Sequence, residues 1–192
     1  MRNDPWLSRW LPLIQSRAAA SPVLEIGCGH GDDTATLAAQ GLAVIAFDLS
    51  RASVAAARLR VPSARIECRD IRDPFPAEAR GLGVVVASLS LHYFPWAETV
   101  RIVQRVREVL RPGGVLLCRL NSTQDGNFGA GQGAELEENF FELDGQHKRF
   151  FDEPAVQRLF ATGWRELSRQ HKTTRKYVRR KALWEVVLER VD

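Results

Sequence analysis

The sequence predicts an α/β domain whose core is a mostly parallel sheet with helices on both faces. Three observations predict it. Between residues 22 and 120, short apolar runs alternate with longer amphipathic ones, the pattern of successive strand and helix units. A glycine-rich turn directly follows the first of these runs. The 192 residues, 45% hydrophobic and 26% charged, can bury one continuous core and are too few for two comfortable domains.

The apolar runs at 23–26, 42–47, 64–67, 82–87 and 115–120 are read as strands. Helices are expected at 33–40, 51–59 and 96–110; in the last, Val100, Val103, Val106 and Leu110 recur at helical spacing. Arg111-Pro112-Gly113-Gly114 stops that helix and turns the chain into the next strand. Ahead of the first strand, the 1–21 segment is assigned to an N-terminal helix over 5–20, with Trp6, Trp10 and Leu13 on one side. Residues 121–150 have no regular period, because Gly126, Gly129, Gly131 and Gly133 are followed by Glu135, Glu137 and Glu138. Such a stretch inside a compact domain is read as an insertion able to fold over a site as a lid. A helix at 153–161 and strands at 164–170 and 182–191, joined as a terminal hairpin, make up the 151–192 remainder of one domain.

Composition excludes several classes. Asp4, Pro5, Ser8, Arg9 and Pro12 interrupt the first residues, so no leader peptide is expected, and no apolar run reaches bilayer length. The expectation is a cytoplasmic protein without membrane contact. Cys28, Cys68 and Cys118 are odd in number and far apart, which matches neither a disulfide framework nor a CxxC site. With only 4 dispersed histidines, no catalytic metal is expected. The net charge of +4 comes mostly from the C-terminal part and is weak evidence for an anionic partner.

The strongest local signal is Glu25-Ile26-Gly27-Cys28-Gly29-His30-Gly31-Asp32-Asp33, a strand running into a glycine loop that opens a helix. Alternate glycines let the backbone bend sharply and approach a ligand closely. A dinucleotide loop would want its third glycine one position after Gly31, where Asp32 stands, and two successive carboxylates repel a pyrophosphate. No lysine of the triphosphate-binding kind is present either. A positively charged, phosphate-free nucleoside such as S-adenosylmethionine suits this acidic loop. Asp48 ends the second strand, where an acid can accept both ribose hydroxyls; its alternative role is to cap the next helix, which Ser50 can also do. Asp70 follows the third strand and can accept the adenine amino hydrogen. Glu25, Asp32, Asp48 and Asp70 are together expected to surround the ligand.

In this order the motifs resemble those of class I S-adenosylmethionine-dependent methyltransferases, over about residues 22–120 and more loosely beyond. Glu25 to Gly31, Cys28 included, looks like the family's first motif, Asp48 like its ribose acid and Leu49 like the residue beside adenine. Asp70 and Ile71 resemble the adenine-recognition pair. The 87–94 segment, with Ser88, is similar to the fourth-strand motif bordering the methionine end of the cofactor, and 110–114 to the turn that follows the motifs. The resemblance implies a Rossmann-like seven-stranded sheet in the order 3-2-1-4-5-7-6 with strand 7 antiparallel. It implies methyl transfer to a small molecule, as in tellurite-resistance and ubiquinone-biosynthesis enzymes, with S-adenosylhomocysteine as product.

Displacement at a sulfonium mainly requires positioning of the nucleophile and exclusion of water. His92, at the carboxyl edge of the fourth strand, is the acid-base candidate, and Tyr93 lines the same place. His147, Lys148 and Arg149 can reach an anionic acceptor if the insertion folds over the site, and Trp6 and Trp10, with Trp96, can cover it. A rival reading is a nucleic-acid methyltransferase using the basic 169–181 connector, which contains Arg169, Lys172, Lys176, Tyr177 and Lys181. Against it, Ser88-Leu89-Ser90-Leu91 lacks the Asn/Asp-Pro-Pro-aromatic motif of enzymes acting on base amino groups. A dinucleotide oxidoreductase is disfavoured by the loop, and a non-catalytic relative by its intact motifs.

Overall fold

A computed structural model describes residues 5–175 and 179–192. A short 3-10 turn, Ser8–Trp10, leads into α1 (Leu11–Ala18), which has Pro12 in its first turn. Then follow β1 (Val23–Ile26), α2 (Asp32–Ala38), β2 (Val44–Asp48), α3 (Arg51–Arg60), β3 (Arg65–Cys68), β4 (Leu82–Ser88), α4 (Trp96–Val109) and β5 (Leu110–Asn121). Three short strands, β6 (Ala134–Glu137), β7 (Phe140–Leu143) and β8 (Gln146–Arg149), precede α5 (Glu153–Leu159), β9 (Trp164–Thr174) and β10 (Lys181–Arg190).

The main sheet runs β3-β2-β1-β4-β5-β10-β9, and β6-β7-β8 form a second sheet. Counting main-sheet strands alone, this is the 3-2-1-4-5-7-6 order, with β10 antiparallel to both of its neighbours. Side chains alternate across the central strands. Val84, Val86, Val115 and Leu117 face Ile14 of α1, Leu37 of α2 and Val54 of α3, while Val85, Ala87, Leu116 and Cys118 face Ile102 and Val106 of α4 and Val156 of α5. Burial of each such Val or Leu side chain contributes about 1.5–3 kcal/mol. No helix among the described residues is long and apolar enough to cross a membrane.

The insertion is ordered differently from the expected irregular loop. Between β7 and β8 the two-residue loop Asp144-Gly145 has φ of 52° and 72°, the double left-handed geometry of a tight hairpin turn. Glu138-Asn139 joins β6 to β7 in the same number of residues, with Asn139 at φ 56°. The resulting meander is held down where the Arg149 amide donates to the carbonyl of His92 (2.7 Å) and the Trp96 amide to Glu137 (2.8 Å).

Candidate active site

A cavity of about 910 Å³ opens at the carboxyl ends of β1, β2 and β4, where the strand order reverses and ligands bind in open α/β sheets. The glycine loop forms one side. Gly27 and Cys28 donate their amides to the carbonyl of Phe47 (2.9 and 3.1 Å), which fixes the loop to the end of β2. Gly27 lies at φ +74°, and a Cβ there would come 2.4 Å from the Ser90 Cβ. Gly29, at φ +53°, lines the cavity, and a Cβ there would meet nothing within 4 Å. The middle glycine is thus where the bare backbone faces the open cleft. Gly31 packs against Ala57 of α3 instead.

Asp48 and Asp70 carry the negative charge of this end. Asp48 accepts the amides of Gly29 and Ser50 (both 2.9 Å), while Ser50 itself caps α3 by accepting the Ser53 amide (3.2 Å). Asp70 accepts the Arg72 amide (2.9 Å). Leu49 lines the same cavity yet is 69% exposed, an apolar surface that a bound ring would cover. Ile71 and Ser88 also line it, and the Ser88 hydroxyl accepts from buried Arg119 (2.9 Å).

The other acids do not face the cavity. Asp32 pairs with Arg60 on the outer side of α2, and Asp33 takes the Trp6 indole N–H (2.9 Å). Glu25 is buried behind the loop, where the Thr34 hydroxyl donates to it (2.5 Å), and its pKa is pushed up to about 8, chiefly by burial and then by Asp33. The Cys28 thiol is pushed up to about 12, again mainly by burial. The expected ring of four carboxylates therefore reduces to two in the cleft. The first turn of α2 and the alternation of β1 direct the others elsewhere.

Across the cavity His92 is buried and its ring lies 4.3 Å from that of half-exposed Tyr93. Burial, with the nearby cations of Lys181 and Lys148, holds the His92 pKa well below the usual imidazole range, so the ring is neutral. His147 and Lys148 of β8 close this side from the lid, and Asn121, Phe128 and Lys181 from the ends of β5 and β10. Sequence reasoning missed Ser90, Asn121, Phe128 and Lys181 as lining residues.

Arg149, Trp6 and Trp10 stand elsewhere. The Arg149 guanidinium donates to the carbonyls of Phe94 (3.2 Å) and Glu138 (3.1 Å) and pairs with Glu137, so it fastens the lid rather than reaching an acceptor. Trp6 is committed to Asp33 and Trp10 to Glu185 (3.1 Å), on the face where α1 packs. Part of the basic connector is also committed: Arg169 pairs with Glu153 (3.1 Å), Lys172 with Glu185 (3.7 Å) and Lys181 with Asp125 (2.7 Å). Lys176 and Tyr177 lie outside the described residues. Arg149→Ala is expected to cost about 2–3 kcal/mol, because it strands two carbonyls and a carboxylate. Denaturant titration reads the loss, and hydrogen exchange should accelerate across 134–149; unchanged exchange there would remove Arg149 from this role.

Residues 23–114 match the methyltransferase domain family. That match spans 92 of the 192 residues, just under half of the chain. The methyltransferase core is 34% identical over 113 residues to trans-aconitate 2-methyltransferase of Delftia acidovorans, a match covering 57% of this chain and 40% of that relative. The chain thus spans less than half the length of that curated relative. Among solved structures, a SAM-dependent methyltransferase from Methanosarcina mazei superposes with a TM-score of 0.77 at 17% identity, over 94% of this chain and 97% of its own. The glycopeptide N-methyltransferase MtfA complexed with S-adenosylhomocysteine gives 0.68 at 20% identity, over 95% and 88%. At these identities the two likenesses describe the fold alone.

Proposed function

We propose that the chain methylates a small-molecule acceptor with S-adenosylmethionine and releases S-adenosylhomocysteine. The observation that carries this reading is the combination at one end of the cavity: a bare Gly29 backbone, the carboxylates of Asp48 and Asp70, and the uncovered Leu49 side chain. These residues fit an adenosine that bears a positive charge and no phosphate. When bound, S-adenosylmethionine supplies an electrophilic methyl group on a cationic sulfur. Asp48 would hold the ribose hydroxyls, Leu49 and Ile71 would flank the adenine, and Asp70 would accept its amino hydrogen. Ser88 and the glycine-loop backbone would border the amino-acid end. The curated relatives named for trans-aconitate support a small acceptor. The exposed, unpaired thiol of Cys68 supports a reducing, cytoplasmic location for the enzyme.

His92 and Tyr93 stand on the acceptor side of this cavity. A neutral imidazole of depressed pKa is a weak base, so the role assigned to His92 is to orient the acceptor by a hydrogen bond. His92→Ala should lower kcat while leaving S-adenosylhomocysteine affinity nearly intact; full turnover would reduce the residue to scaffolding. The reading as a whole is tested by calorimetry with S-adenosylhomocysteine, NAD and ATP. Only the first is expected to bind, and Asp48→Ala should weaken it more than about tenfold through the loss of charge-assisted hydrogen bonds. Binding of NAD or ATP with no response to S-adenosylhomocysteine would overturn the assignment.

A further inference from the structure

The cavity has two electrically different ends. Asp48 and Asp70 stand beside the glycine loop, and the arginines there are engaged, Arg69 with Glu67 (2.7 Å) and Arg72 with Glu98 (2.6 Å). At the opposite end, under the lid, Lys148 and Lys181 line the wall. Lys181 is buried and pairs with the fully buried carboxylate of Asp125, with its ammonium 4.6 Å from the Phe128 ring. One carboxylate and one ring face leave this three-donor group able to bind another acceptor. Lys148 has no ion-pair partner among the described residues. The two lysines bring one ammonium more than the Asp125 carboxylate neutralises, and Arg119 adds to the positive field at Lys181.

Neutral polar groups line the same cavity. Among the described residues, four buried side-chain atoms have no hydrogen-bond partner, and three of them, Ser90 Oγ, His92 Nδ1 and Asn121 Oδ1, belong to residues lining this cavity. A buried polar atom without a protein partner calls for an ordered water or a bound group, since leaving it unpaired costs about 1–3 kcal/mol. Resting on the methyltransferase reading above, we propose that the lid end of the cavity seats a small carboxylate, the anionic part of the methyl acceptor. Lys181 and Lys148 hold its charge, and His92 with its proton on Nδ1 donates to it; Ser90 stands nearer the glycine loop, beside Gly27, and Asn121 Oδ1 accepts from a donor elsewhere on the acceptor molecule. Among the side chains lining this end, only the Lys148 ammonium is without a counter-charge, which fits a carboxylate better than a phosphate dianion. The aromatic faces of Phe128 and Tyr93 offer an apolar wall for the remainder of the molecule.

Benzoate, its neutral twin benzamide and inorganic phosphate, each titrated by calorimetry and NMR into the full chain saturated with S-adenosylhomocysteine, test this seat. Benzoate is expected to bind at least about tenfold more tightly than benzamide, the difference made by one charge-assisted hydrogen-bond pair. Lys148→Gln should weaken benzoate by about fivefold or more while S-adenosylhomocysteine affinity stays within about twofold. Lys181→Gln strands buried Asp125, so Lys181→Gln combined with Asp125→Asn is the variant for that side, and it too should lose benzoate. Equal binding of benzamide, tighter binding of phosphate, or benzoate affinity untouched by Lys148→Gln would each overturn the proposal. If S-adenosylhomocysteine itself does not bind, the methyltransferase reading fails, and benzoate titrated into the protein alone then decides the seat.

Discussion

Gly27→Ala is expected to destabilise the fold by about 2–5 kcal/mol, whereas Gly29→Ala should cost only about 1–2 kcal/mol yet lower S-adenosylhomocysteine affinity at least about tenfold. Both positions are left-handed, so each substitution carries the strain of an L side chain at positive φ. They differ in what the new methyl group meets. At Gly27 it would stand 2.4 Å from the Ser90 Cβ, inside the contact between the loop and the chain leaving β4, and one of the two segments must move. At Gly29 it would meet nothing of the protein and would project where the bare backbone borders the cavity. Denaturant titration and calorimetry separate the two effects. Adding Ser90→Gly to Gly27→Ala should recover the part of the loss due to the collision but not the part due to φ. Equal stabilities for the two alanine variants would contradict the geometry of the loop.

That contrast shows what a sequence motif conveys and what it conceals. Alternate glycines identify a loop that ligands approach, but not that one packs on Ser90, one faces the cleft and one rests on Ala57. The alternation of strands and helices was readable because short apolar runs alternate with amphipathic ones, whereas the strand order came from the family resemblance; Val84 and Val86 against Val85 and Ala87 show the two faces that result. Asp48 and Asp70 were also readable, since they end or follow strands whose carboxyl edges must meet, while Leu49 and Ile71 came from the family resemblance. Asp32 and Asp33 follow the same loop but start a helix, whose first turn directs them to Arg60 and Trp6. Nearness in sequence to a glycine loop does not decide which side a residue faces. The lid was misread as irregular because its glycines outweighed Asp144-Gly145, a two-residue hairpin signal flanked by Phe141, Leu143 and Arg149. Lys181 looked like one charge in a basic connector; only the pairing of β10 with β5 brings it to Asp125 and the cavity.

Glu25→Gln should stabilise the protein most at alkaline pH, by up to about 5 kcal/mol, and should flatten its pH dependence between about pH 4.5 and 8. Glu25 is 3% exposed at the centre of β1, and its pKa rises from the ordinary 4.5 to about 8. Burial is the main cause and Asp33 the next, while the Thr34 hydroxyl opposes them by donating to the carboxyl group. Below pH 4.5 the native and unfolded chains both hold this proton. As pH rises from there to about 8, the unfolded chain releases it while the native chain keeps it, so the unfolded state gains stability across that window and the native state loses its margin. Glutamine has the same shape without the charge, and its carbonyl can accept the Thr34 hydroxyl. Stability measured by denaturant titration from pH 4.5 to 9 should therefore diverge between parent and variant as pH rises; parallel curves would show that Glu25 ionises at its ordinary pKa. The same burial bears on ligand choice: at neutral pH Glu25 is mostly uncharged, so the negative field offered to a cationic nucleoside comes from Asp48 and Asp70. Glu25→Gln should accordingly leave S-adenosylhomocysteine affinity at pH 7 within about threefold, well short of the loss expected for Asp48→Ala.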